Sequence, residues 1–65
     1  MDPFVTLGVR PDAPDDVLRK AHEARILENH PDRVHGMYKE IVELAHRETR
    51  ATNVAWETVR KARGI

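Results

Sequence analysis

The run Asn29-His30-Pro31-Asp32-Arg33-Val34-His35-Gly36 decides how the rest of the chain is read. Pro31 has no amide hydrogen and its ring biases His30 away from helical angles, so a helix arriving from the N-terminal side must stop at or near His30. On either side the chain is free of interior proline and glycine over residues 15–30 and 37–63, which predicts two long helices joined by a stiff turn. A short turn folds its helices back side by side. The expected fold is therefore all-α, an antiparallel hairpin of residues about 14–30 and 37–63.

Upstream of the turn, Pro14 fits the first helical position, and Asp15 and Asp16 place carboxylates where the helix dipole favours them. The helix offers Val17, Leu18, Ala21, Ala24, Ile26 and Leu27 as apolar positions. Leu18, Ala21, His22, Arg25 and Ile26 share one face at helical period, with Arg25 where a core residue is expected. Either its aliphatic stem packs while the guanidinium reaches water, or the helix rotates to bury Val17, Ala21, Ala24 and Leu27; the first arrangement is preferred. Downstream, Ile41, Ala45, Thr49, Thr52, Trp56 and Val59 recur every three or four residues, widened by Val42, Leu44 and Ala55. The two threonines make this stripe less apolar at its centre, so stability should be modest. Lys61, Arg63 and Gly64 suit the end of that helix.

Farther toward the N-terminus, Asp2 as N-cap, Pro3 at the first position and Gly8 as stop predict one or two helical turns over residues 3–7. So short a helix is unstable alone. Phe4 and Leu7 share a face, which implies docking onto the longer helices. Residues 9–13 form the connecting loop, and Trp56 is expected in the core near Phe4 or Leu7.

The chain has 65 residues and no cysteine, which bounds it to one domain with a small core, no disulfide and no thiolate metal site. Charged residues make up 34% with a formal net charge of zero, a balance that does not suggest a nucleic-acid binder. No stretch is long and apolar enough for a membrane span, and Met1-Asp2-Pro3 does not begin a signal sequence. A parent protein could carry either. His22, His30, His35 and His46 lack the thiolates, acidic cluster or HExxH spacing of a metal centre. No nucleophile accompanies His30 and Asp32, and a hairpin this small has little bulk for a water-excluding pocket. Neither catalysis nor a cofactor is expected.

The turn nevertheless suits recognition. Asp32 offers a carboxylate able to accept a bidentate arginine, and His30 can donate, accept or stack. A proline-terminated helix with an aspartate turn is common in helical proteins, so the flanking sequence has to weigh in. Asp2-Pro3-Phe4 with Leu7-Gly8-Val9, then Leu18-Arg19-Lys20-Ala21, then His30-Pro31-Asp32-Arg33, then Asn53 with Ala55-Trp56-Glu57 and Val59, together resemble a J-domain along essentially the whole chain. Glu28-Asn29 before the tripeptide, Gly36-Met37, and Arg63-Gly64-Ile65 are similar to the C-terminal J-domain of bacterial DjlA-like co-chaperones.

The resemblance implies a short first helix packed on the hairpin, with residues 1–65 forming one J-domain taken from a larger protein. It implies that His30, Pro31 and Asp32 engage a DnaK-type chaperone in its ATP state and stimulate hydrolysis there. Arg33, Arg19, Lys20 and His22 are the further partner-binding residues it implies. In the family a basic face of the second helix steers docking. Here that face is depleted: His22 stands where tyrosine is common, Glu23, Ala24 and Glu28 replace often basic or polar residues, and Arg25 replaces a core leucine. The module is expected to be monomeric and cytoplasmic, in a parent protein that could be anchored at the inner membrane, with no small-molecule substrate or membrane contact of its own.

Two other readings compete. Arg47, Arg50, Arg60, Lys61 and Arg63 along the last helix would suit a three-helix nucleic-acid-binding domain, although Glu40, Glu43, Glu48 and Glu57 interrupt them. A J-like tethering domain with weak chaperone contact is the other.

Overall fold

The computed structural model describes residues 2–65, which hold four helices and no strand: α1 Pro3–Leu7, α2 Asp15–Glu28, α3 Pro31–Val34 and α4 Lys39–Arg63. Met1, at the head of the Met1-Asp2-Pro3 start, lies outside the described residues.

Helix α1 follows its sequence signals. The Asp2 carboxylate accepts the Phe4 amide at 2.9 Å, Pro3 opens the helix, and Gly8 ends it in the left-handed region at φ 74°. Leu7 is buried and Phe4 packs against the core, so α1 is held by docking, chiefly on α4.

Helix α2 begins one residue later than expected. Pro14 is extended (φ −61°, ψ 157°) and serves as N-cap, leaving Asp15 and Asp16 in the first turn. The face that turns inward is the one carrying Leu18, which is completely buried, while Val17 and Leu27 are exposed. Arg25 accordingly lies on the inner side with its side chain 41% exposed and its guanidinium 3.5 Å from Glu28.

Leu7, Ala13, Leu18, Ala55 and Val59 form the core, with Phe4, Val9 and Trp56 packed against it. The buried line of α4 is Ala45, Thr52, Ala55 and Val59. Ile41 and Leu44, expected on that stripe, are 42% and 47% exposed. Helix length explains this: at 1.5 Å per residue, the 25 residues of α4 span roughly 37 Å against roughly 21 Å for the 14 of α2. The start of α4 therefore outruns its partner. There α3 packs on it, with Val34 buried and bordering one groove with Ile41, Leu44 and Ala45.

The hairpin is antiparallel, as its open end shows. From the last turn of α4, Arg63 donates to Asp15 Oδ1 (3.0 Å), to the Ala13 carbonyl (2.9 Å) and to the Pro11 carbonyl (2.8 Å). One guanidinium thus ties the loop before α2 to the end of α4. The opposite end carries the tripeptide.

Candidate functional site

The turn is more ordered than a proline stop alone requires. Helix α2 ends at Glu28, ahead of the expected His30, and Asn29 folds its side-chain amide back onto the Arg25 carbonyl at 3.1 Å. His30 is extended (φ −61°, ψ 140°), as a residue before proline should be. Pro31 then begins a new single-turn helix, α3, where its missing amide costs nothing. The segment expected as a simple turn is therefore a capped helical turn, and α4 begins at Lys39, not at residue 37.

His30 is the N-cap of α3: its Nδ1 accepts the Asp32 amide at 3.1 Å. Accepting requires a lone pair on Nδ1, so the proton of the neutral ring sits on Nε2. Asp32 Oδ2 lies 3.8 Å from the same Nδ1. That ion pair would need Nδ1 protonated, so cap and ion pair are alternatives. With the cap formed, the Nε2–H has no hydrogen-bond partner among the described residues and the Asp32 side chain is 94% exposed. The turn presents one donor and one carboxylate side by side.

Helix α3 also carries Arg33, which is exposed and borders a groove with Glu28, Asn29, Val34, Met37 and Ile41. His30, Pro31, Asp32 and Arg33 are thus contiguous. Arg19 and Lys20 sit on α2, roughly 15 Å back along the axis from His30, exposed and free of ion pairs among the described residues. His22, the remaining residue expected at the partner surface, is placed against α4. Its ring is half-buried, stacked on Trp56 with centroids 4.9 Å apart, and its Nε2 lies 3.2 Å from Asn53 Oδ1. Trp56 is correspondingly half-buried at the core's edge.

Several site neighbours carry no sequence signal that ties them to the turn. His46, Thr49 and Arg50 of α4 meet Asn29 and Pro31 around a shallow groove of about 360 Å³. Their i, i+3, i+4 spacing marks them as one helix face, but only the tertiary fold sets Pro31 against it. Farther along α4, Arg60 donates to both carboxylate oxygens of Glu57 (2.9 and 3.2 Å). Those hydrogen bonds hold Glu57 below the usual carboxylate range and raise Arg60. Among the described residues no group of acidic, histidine or cysteine side chains is arranged to hold a metal. No helix is long and apolar enough to cross a membrane.

Among curated proteins, the chain is similar to an uncharacterised J domain-containing protein of Schizosaccharomyces pombe, 42% identical over 41 residues. The aligned segment is 63% of this chain and 16% of the yeast protein. No family model matches the chain, and no solved structure matches it.

Proposed function

From the premise that this chain belongs to the J-domain family, by its motif order and its yeast relative, we propose that it is a co-chaperone module that binds a DnaK-type chaperone and stimulates ATP hydrolysis there. One observation carries the reading. A capped helical turn at the end of the hairpin presents the Asp32 carboxylate 94% exposed beside a free imidazole donor. An exposed carboxylate held without a cationic partner of its own suits a charge-assisted, bidentate contact with an arginine on another protein. The module supplies the contact, and the hydrolytic chemistry belongs to the chaperone. Arg33 extends the contact surface from α3, and Arg19 and Lys20 flank it on α2.

The closer likeness to DjlA-like bacterial domains rests on the segment from Glu28 to Arg33, on Gly36-Met37 and on the Arg63-Gly64-Ile65 ending. The nucleic-acid reading loses two of its cations, since Arg60 is held by Glu57 and Arg63 by the loop before α2.

The test compares the steady-state ATPase rate of a DnaK-type chaperone with the parent chain and with Asp32→Asn. The expected result is stimulation by the parent and none by the variant, with equal helix content by circular dichroism. Stimulation by a folded Asp32→Asn variant equal to that of the parent overturns the reading.

A further inference from the structure

The formal charges of the chain cancel, yet ion pairing distributes them unevenly. On α4, Glu43 is met by Lys39 at 3.7 Å and Glu57 by Arg60 at 2.9 Å. Arg63 is committed to the loop before α2. His46, Arg47, Arg50 and Lys61 remain exposed, with no ion pair among the described residues. At about 100° per residue these four fall in one arc of the helix, opposite the buried Ala45, Thr52, Ala55 and Val59. The acidic residues in that arc, Glu43 and Glu57, are the two already neutralised. What is left is a strip of three unpaired cations, Arg47, Arg50 and Lys61, with the His46 ring beside them.

The strip begins beside the tripeptide, because His46 and Arg50 line the same groove as Pro31. On α2, by contrast, Arg19 and Lys20 are followed by Glu23 and Glu28, and the one further arginine, Arg25, is turned to Glu28. The unpaired cations nearest the turn therefore include Arg47 and Arg50 of α4, whose arc holds only acids already paired, with Glu40 and Glu48 outside it.

We propose that His46, Arg47 and Arg50 of α4 form an electrostatic docking surface for a carboxylate-rich patch on the same protein partner that receives Asp32. The inference rests on the chaperone-binding reading and adds the face by which the partner is steered. Asp32 is what selects a protein over a polyanion. A nucleic-acid backbone drawn to Arg50 would bring phosphates up to an exposed carboxylate, whereas a protein surface can set a cation against Asp32 and carboxylates against α4. The partner surface must be bipolar over that short span.

The experiment is stopped-flow association of the chain with an ATP-loaded DnaK-type chaperone at about 50 and about 300 mM salt, where screening lengths differ about 2.5-fold. Arg47→Glu/Arg50→Glu, Arg19→Glu/Lys20→Glu and the parent are compared, with circular dichroism confirming helix content. Arg50→Gln alone serves if the double reversal fails to fold. The α4 reversal should slow association about tenfold at low salt, with most of the loss gone at high salt. Association of the α4 reversal at the parent's rate, while the parent stimulates the ATPase, overturns this inference and leaves the reading of the turn intact. A parent chain that does not stimulate the chaperone removes that reading and the inference together. Low-salt binding to duplex DNA that the α4 reversal abolishes, with chaperone association unchanged, would assign the strip to nucleic acid and overturn the proposal.

Discussion

The imidazole of His22 lies flat on the indole of Trp56, ring centroids 4.9 Å apart and planes within 8° of parallel, while its Nε2 reaches Asn53 Oδ1 at 3.2 Å. The amide oxygen can only accept, so Nε2 carries the proton. This pair joins the middle of α2 to α4 beside a core of few large side chains. Removing the ring in His22→Ala should cost about 1–2 kcal/mol, the sum of a stacked pair and one exposed hydrogen bond. His22→Phe should recover roughly half of that by keeping the stack. Urea unfolding followed by circular dichroism measures both, and an unchanged midpoint for His22→Ala would show that the stack contributes nothing.

Arg63 holds the loop before α2 through one planar fork, reaching Asp15 and the carbonyls of Pro11 and Ala13. Lysine keeps the charge but cannot make that set of bonds from a single nitrogen. Arg63→Lys should therefore destabilise the domain by about 1–3 kcal/mol, with amide exchange accelerating at Ala13, whose amide closes the loop onto the Arg10 carbonyl at 3.0 Å. Exchange at Ala13 unchanged from the parent would show that the loop holds its shape without the clamp.

Much of the hairpin was legible because its signals are local. Asp2, Gly8 and Gly64 each act on the nearest turn, and each caps the helix its position predicts. The preferred packing of Arg25 was also readable, since Leu18 and Ile26 flank it on one face. Only half of the turn is legible in sequence: Pro31 marks the end of one helix, but a proline is equally suited to start one, and a single turn has no periodicity to reveal it. Ile41 and Leu44 fit the apolar stripe of α4 and are nevertheless exposed, because the shortness of α2 is not written in α4. Arg63 matched the dipole rule for a helix end, yet its partners lie across the fold. The chemistry of the tripeptide was visible in the sequence; the α4 cations beside it required the tertiary structure.

Gly8 meets two demands at once. Its φ of 74° is left-handed, and a Cβ added there would sit 2.6 Å from the Arg25 guanidinium. The backbone penalty for an L-residue in that region is about 1–2 kcal/mol. The guanidinium is the mobile tip of a long side chain and can withdraw at smaller expense. Gly8→Ala should therefore lower stability by about that backbone amount, and Arg25→Ala in the same chain should recover only a minor part. Thermal melts of the two single variants and the double variant form the cycle. Full recovery in the double variant would place the cost in the side-chain clash instead of the backbone.

His30 has two separable duties, one toward its own chain and one proposed toward the partner. Its Nδ1 caps α3 by accepting the Asp32 amide, while the Nε2–H remains available. Asparagine at an N-cap accepts the same kind of bond, so His30→Asn keeps the cap and discards the ring, whereas His30→Ala discards both. His30→Ala should speed amide exchange at Asp32 and cost about 1 kcal/mol; His30→Asn should leave that exchange near the parent's. If the imidazole touches the chaperone, both variants lose ATPase stimulation despite this difference in local order. A His30→Asn chain that stimulates as well as the parent would mean that His30 serves only to hold Asp32 in place.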